Sequence, residues 1–197
     1  IDPVRFISNE SSGKQGYAIA ETLQSLGAKT TLVSGPTSLA EPNVEQVIKV
    51  DSADQMLEAC ESSLPADIAV CAAAVADYKI ANKEIAKIKK DGSRQNIILE
   101  ENPDILERLS KRNHLRPKLV VGFAAETSNL ERNSDEKLSK KGCDWVLGND
   151  VSENSVFNQD TNKIYFTSKL YSENWELMTK KEVAKKLCQK ISLHLNN

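Results

Sequence analysis

Long apolar runs are missing from this chain: none approaches the roughly 20 residues that a membrane-spanning helix needs, so the protein is expected to be soluble and to have no membrane partner. Positive charge is not in excess. The formal net charge is -2, and without a broad basic field the chain is poorly suited to nucleic acid or an anionic membrane surface. Cysteine is sparse and scattered. Cys60, Cys71, Cys143 and Cys188 form no pair at metal-ligand or redox-motif spacing, and no secretory signal precedes them, which points to a reducing, cytoplasmic setting. His114 and His194 have no Cys, His or carboxylate at ligand spacing, so neither suggests a metal site or a catalytic triad. No linker, repeat or low-complexity tract divides the 197 residues, and a single domain spanning 1–197 is expected.

What is present alternates between helix and strand signals. The stripe of Ile19, Leu23 and Leu26 reads as an amphipathic helix ended by Gly27, and KTTLVSG, Lys29 to Gly35, reads as a short strand. Val44 to Val50 alternates as another strand, and Ser52 is placed to cap a helix through Leu64. DIAVCAAA, Asp67 to Ala74, is a continuous apolar run of the kind buried on both faces of a parallel sheet. The rhythm repeats. Asn102-Pro103 is a plausible cap and first position of a helix to about Lys111, and KLVVGFA, Lys118 to Ala124, reads as a second buried strand. Glu131 to Lys141 follows as a helix ended by Gly142, and Asp144 to Gly148 as a strand with Asn149-Asp150 just beyond it. Lys163 to Phe166 and Glu176 to Met178 look antiparallel, and Val183, Leu187, Ile191 and Leu195 mark a final helix over Lys180 to Leu195. The expected fold is α/β, a Rossmann-like three-layer arrangement with a mostly parallel sheet and a small antiparallel extension.

Ligands of such sheets gather at the carboxyl ends of the strands. NESSGKQG, Asn9 to Gly16, offers Ser11, Ser12, Gly13 and Lys14 at a helix start, a natural seat for an anion, although a plain helix cap reads equally well. It is not a P-loop, since no glycine lies five before Gly13 and Gln15 stands where a Ser or Thr would hold magnesium. AAAVADY, Ala72 to Tyr78, leaves room for a ring or ribose and supplies Asp77. The alternative there is a small-residue crossing point with a solvated carboxylate. KIKK, Lys87 to Lys90, could close on a polyphosphate or be a solvated surface. Phe123 in GFAAET could stack on a base or complete the core, and Lys137, Lys140 and Lys141 could bind an anion or complement a helix dipole.

In order, DPVRFISNESSGKQGYAIA, TLVSGP, AAVADY, KIKK, NPDIL, VGFAAET and NDV resemble the phosphopantothenoylcysteine synthetase family over Asp2 to about Phe157. In bacteria this unit is usually the second half of a bifunctional protein whose first half is an FMN-dependent decarboxylase. The resemblance implies a ligase in coenzyme A biosynthesis that joins 4'-phosphopantothenate to L-cysteine, with CTP as co-substrate, an acyl-cytidylate intermediate and Mg2+ accompanying the triphosphate. By resemblance Asn9 positions the activated acyl group and Lys87 is required to form it. Cys71, Ala72, Ala73 and Asp77 match a nucleotide-contacting strand end, Phe123 matches a nucleotide-pocket residue beyond the next strand, Pro103, Asp104, Ile105 and Leu106 match a further nucleotide-facing segment, and Lys137 and Lys141 match basic nucleotide contacts. The resemblance also implies a homodimer, with Lys163 to Met178 as a place for its interface.

One departure stands out. Family members carry a first strand and a glycine-containing turn before the position of Asp2, so the native chain is expected to extend upstream of Ile1. Two other readings stay open. A dinucleotide-dependent oxidoreductase would suit the sheet rhythm but lacks a complete glycine fingerprint and a Tyr-x-x-x-Lys pair, and a nucleotide-binding module could lack catalysis altogether.

Overall fold

The computed structural model of the protein describes residues 1–90, 92, 96–151 and 161–195. Its first half contains α1 (Lys14–Ser25), β1 (Thr31–Ser34), β2 (Gln46–Lys49), α2 (Ala53–Ser62), β3 (Ile68–Cys71), β4 (Tyr78–Ile80) and β5 (Leu99–Glu101). The second half contains α3 (Ile105–Ser110), β6 (Leu119–Glu126), α4 (Leu130–Lys141), β7 (Trp145–Asp150), β8 (Thr161–Ser168), β9 (Ser172–Thr179) and α5 (Lys180–Leu195).

The main sheet has the order β3-β6-β7-β8-β9, with β3, β6 and β7 parallel and β8 and β9 antiparallel additions. Side-chain alternation sorts its two faces. Leu119, Val121, Trp145, Leu147, Ile164 and Phe166 meet Ile19 of α1 and Val183, Leu187 and Ile191 of α5. Val120, Ala124 and Val146 point the other way, toward Leu106 of α3 and Leu138 of α4. Helices on both faces make three layers, as the α/β rhythm implies. The short antiparallel segments around Lys163 to Phe166 and Glu176 to Met178 lie inside longer strands of this same sheet.

Local signals explain most element boundaries. The Ser52 side chain accepts a hydrogen bond from the Gln55 amide at 3.2 Å, capping α2 as its sequence position suggests. Gly142 adopts the left-handed conformation, φ 70°, that ends α4. For α3 the expectation fails by two residues. Its cap is Asp104, whose Oδ1 accepts from the Glu107 amide at 2.8 Å, and Pro103 precedes the helix. Asn102 turns away and donates to the Ala76 carbonyl at 2.8 Å.

The strand expected from Asp67 to Ala74 also differs. All four residues of β3 are only half-buried, because β6 is its one sheet partner among the described residues. β1 and β2 form a separate parallel pair. Yet Val33 and Ile48 of that pair and Ala69 and Cys71 of β3 pack into one cluster around Met56, Ile105 and Leu109. β1 and β3 share this helical layer, with no main-chain ladder between them among the described residues.

Two glycines let helices approach the sheet closely. A Cβ at Gly122 of β6 would lie 2.6 Å from Leu106 Cδ2, and one at Gly148 of β7 would lie 2.2 Å from Ser134 Oγ. The loop-rich stretch after Tyr78 is partly ordered as an arm, because β4 and β5 pair antiparallel from Tyr78–Glu101 to Ile80–Leu99. No described helix is long and apolar enough to cross a membrane.

Candidate functional site at the strand ends

The turn that opens α1 comes together with the carboxyl end of β3. Gly13 takes the cap position with φ 72° and has no side chain to cap the helix, while the Ser12 hydroxyl accepts from the Lys14 amide at 3.5 Å. The Ser11 hydroxyl accepts from the Gly13 amide at 3.3 Å, so it shapes the turn itself. Thr37, which the sequence did not single out, donates from its hydroxyl to the Ser12 carbonyl at 3.3 Å and anchors the turn from the β1 side. A Cβ at Gly16 would stand 4.0 Å from that of Ala72, so the first helical turn and the strand end form one wall.

Asn9 closes this wall from above. Its Nδ2 donates to the Val75 carbonyl at 3.1 Å, tying NESSGKQG to AAAVADY. The same loop is braced from behind by Asn102, whose side chain holds Ala76 and whose amide donates to the Asp77 carbonyl at 2.8 Å. Asp77 itself is exposed. Cys71 is half-buried, and burial pushes its thiol up to about 12, which favours the protonated form at neutral pH.

The basic groups flank the same strand ends. Lys137 Nζ donates to the Phe123 carbonyl at 2.7 Å, placing an ammonium at the upper part of β6. Lys141 Nζ pairs with Asp104 at 2.6 Å and with Glu107 at 3.4 Å. Burial pushes the Asp104 carboxyl up, but the Lys141 ammonium and the Glu107 amide outweigh it and hold its pKa below the ordinary value. Phe123 is half-buried against the α1 and α5 face, so it contributes to the core as well as to the edge of the site. Ile105 and Leu106 are each 7% exposed and belong to the core, which leaves Pro103, Asp104 and the main chain as the accessible parts of that segment. Lys87 is exposed on the arm's loop.

A polar floor beneath α1 escaped the sequence reading. Asn162 of β8, 4% exposed, donates to Gln15 Oε1 at 3.3 Å, and Gln15 Nε2 donates to the Lys180 carbonyl at 3.1 Å. The buried Oδ1 atoms of Asn162 and Asn149 have no hydrogen-bond partner among the described residues. The GND triplet around Asn149 was a visible signal for part of this floor. Asn162 gave none.

Layering, strand order and the convergence of turn, strand end and lysines define an open α/β protein whose candidate site lies at the carboxyl ends of its parallel strands. The chain belongs to the family described as DNA/pantothenate metabolism flavoprotein C-terminal domain, whose model matches residues 1–194. It is 42% identical over 192 residues to the coenzyme A biosynthesis bifunctional protein CoaBC of Haemophilus influenzae, covering 97% of this chain and 48% of the relative. The protein of the same name from Bacillus subtilis is 38% identical over 196 residues, covering 98% of this chain and 48% of the relative. A crystal structure of the C-terminal domain of a CoaBC protein is similar with a TM-score of 0.81 and 37% identity, covering 100% of this chain and 89% of that one. The chain spans about half the length of these curated relatives.

Proposed function

We propose that the protein is a phosphopantothenate–cysteine ligase of coenzyme A biosynthesis. The observation that carries this reading is the hydrogen bond from Asn9 to Val75, which joins the segment matching the family's acyl-handling asparagine to the loop matching its nucleotide site. A carboxylate cannot acylate an amine directly at neutral pH, because it is an anion with a poor leaving group. Attack of the 4'-phosphopantothenate carboxylate on the α-phosphorus of CTP forms an acyl-cytidylate and releases pyrophosphate. The amine of L-cysteine then attacks the acyl carbon, CMP leaves, and the amine's proton is lost to solvent.

Each residue has a part in this scheme. Lys87 offsets charge on the triphosphate while the α-phosphorus is attacked. Lys137 and Lys141 supply further positive charge at the nucleotide end. Asp77 accepts from ribose hydroxyls, and the α1 turn receives the anionic end of the acyl substrate. Asn9 holds the activated acyl group for cysteine. The described residues contain no group of three His, Cys, Asp or Glu able to hold a metal, and magnesium needs no more than one or two protein carboxylates beside a triphosphate. Magnesium belongs to the co-substrate, carried by phosphate oxygens and water. Flavin would belong to a fused decarboxylase half, and CTP is preferred over ATP on the strength of the bacterial resemblance.

The reading also places a strand from upstream of Ile1 between β1 and β3. Support comes from the missing ladder between two strands that already share one helical layer. Extending the chain upstream should raise its urea midpoint, and an unchanged midpoint would argue against that strand. A homodimer completes the proposal, with the outer edge of β9 free for pairing among the described residues. Sedimentation of the extended protein reads that state directly, and a monomer would remove the dimer from the scheme.

The full-length protein incubated with phosphopantothenate, cysteine and each triphosphate in turn should release pyrophosphate and form the coupled product with CTP. Absence of CTP-dependent pyrophosphate would reject the ligase. Nucleotide binding without turnover would favour a non-catalytic module, and a change in reduced nicotinamide would favour an oxidoreductase.

A further inference from the structure

Residues 3–10 are exposed throughout, yet Asp2 at their head is only 4% exposed. Its carboxylate accepts from the Val4 amide at 2.9 Å, the Arg5 amide at 3.0 Å and Arg5 Nε at 3.0 Å, and the Arg5 Nη2 forms a further close ion pair with Oδ2. These bonds stay within one local turn. The fifth does not: the amide of Ile88, across 86 residues of chain, donates to Asp2 Oδ2 at 3.2 Å.

Ile88 directly follows Lys87. Arg5 Nη2 reinforces the tie by donating to the Ile88 carbonyl at 3.4 Å, and the Glu84 amide donates to the Ile1 carbonyl at 3.1 Å. Residues 82–87 are otherwise exposed, with Ile85 at 95%. Among the described residues, the hydrogen bonds that tie the main chain of 82–90 to the rest of the protein run to Ile1, Asp2 and Arg5. Seven residues further along, Asn9 is fastened to Val75. One short segment therefore holds the main chain beside Lys87 at one end and the acyl-handling amide against the loop after β3 at the other.

We propose that Asp2 is a positioning residue for Lys87: through the Ile88 amide and the Arg5 guanidinium it fixes the main chain from which the lysine reaches the triphosphate. The inference rests on the reading of Lys87 given above. Holding the stem matters because a long side chain on an untied loop spreads its charge over many positions, whereas stabilising a developing charge requires one. The Arg5 guanidinium holds the Asp2 carboxyl far below the usual carboxylate range, so the tie stays ionised wherever the reaction runs.

The test compares Asp2→Ala, Asp2→Asn and Lys87→Gln in the full-length protein. Pyrophosphate release is measured over a range of CTP concentrations, and amide exchange is followed at Ile88, Val121 and Val146. Asp2→Ala should lower kcat for pyrophosphate release about 10- to 100-fold while leaving the KM for CTP little changed. It should also speed exchange at Ile88 without affecting the two sheet amides. Asp2→Asn retains an oxygen for the Ile88 amide but no charge for Arg5, and should fall between Asp2→Ala and the native protein. Native release by Asp2→Ala overturns the proposal, as does faster exchange at all three amides together, which would mean general destabilisation. If Lys87→Gln stops release while Asp2→Ala is native, the positioning role alone fails. If Lys87→Gln releases pyrophosphate normally, the reading of Lys87 fails and the proposal falls with it.

Discussion

Lys87→Gln should leave the protein folded and able to bind CTP, yet reduce pyrophosphate release by about 100- to 1,000-fold. The fold should tolerate the change because Lys87 is exposed and contributes to none of the core clusters. Glutamine keeps a hydrogen-bond donor at similar reach but removes the full positive charge. The expected loss is therefore in kcat for activation. Equilibrium CTP binding measured beside pyrophosphate release separates the two effects, and native release would remove Lys87 from the mechanism. The contrast with Lys141 is instructive. Lys141 already has Asp104 and Glu107 as partners, so a phosphate would have to compete for its ammonium.

Asn9→Asp should produce the complementary failure, with the first step intact and the second impaired. The substitution is isosteric but exchanges the donor that meets the Val75 carbonyl for an oxygen, leaving two acceptors facing each other. It also adds a negative charge beside the Val75 carbonyl at the proposed acyl site. Pyrophosphate should appear up to one equivalent per site in the absence of turnover, with acyl-cytidylate retained on the enzyme. Transfer to cysteine should slow by about 100-fold or more, the scale seen when one positioned amide donor is removed from an active site. Quenched-flow detection of the intermediate is the measurement, and native cysteine transfer would refute the role of Asn9.

Much of the fold was legible because it follows from periodicity. KLVVGFA reads as a strand buried on both faces, and Leu119, Val120 and Val121 are fully buried. Val183, Leu187 and Ile191 mark the inner stripe of α5 for the same reason. DIAVCAAA carries an equally strong signal, but its burial depends on neighbours that a local pattern cannot report. The α3 cap was misplaced because Asn102 and Asp104 are both good caps, and only the tertiary bond to Ala76 tells them apart.

The candidate site divides along similar lines. Asn9, Asp77, Lys87 and the α1 turn could be named because their motifs occur in a recognisable order. The groups that hold them in place could not. Asn102, Thr37, Asp2 and Asn162 act across 26, 25, 86 and 147 residues of chain, and contacts at such separations leave no local trace.

Gly122 and Gly148 connect this architecture to the chemistry through what they omit. Two absent methyl groups set the height at which α3 and α4 ride over the sheet, and those helices carry Asp104, Lys137 and Lys141. A larger residue at either position would push its helix away from the sheet and carry those charged groups with it. The height of Asp104, Lys137 and Lys141 over the strand ends is thus set in the centre of the sheet, one layer below them.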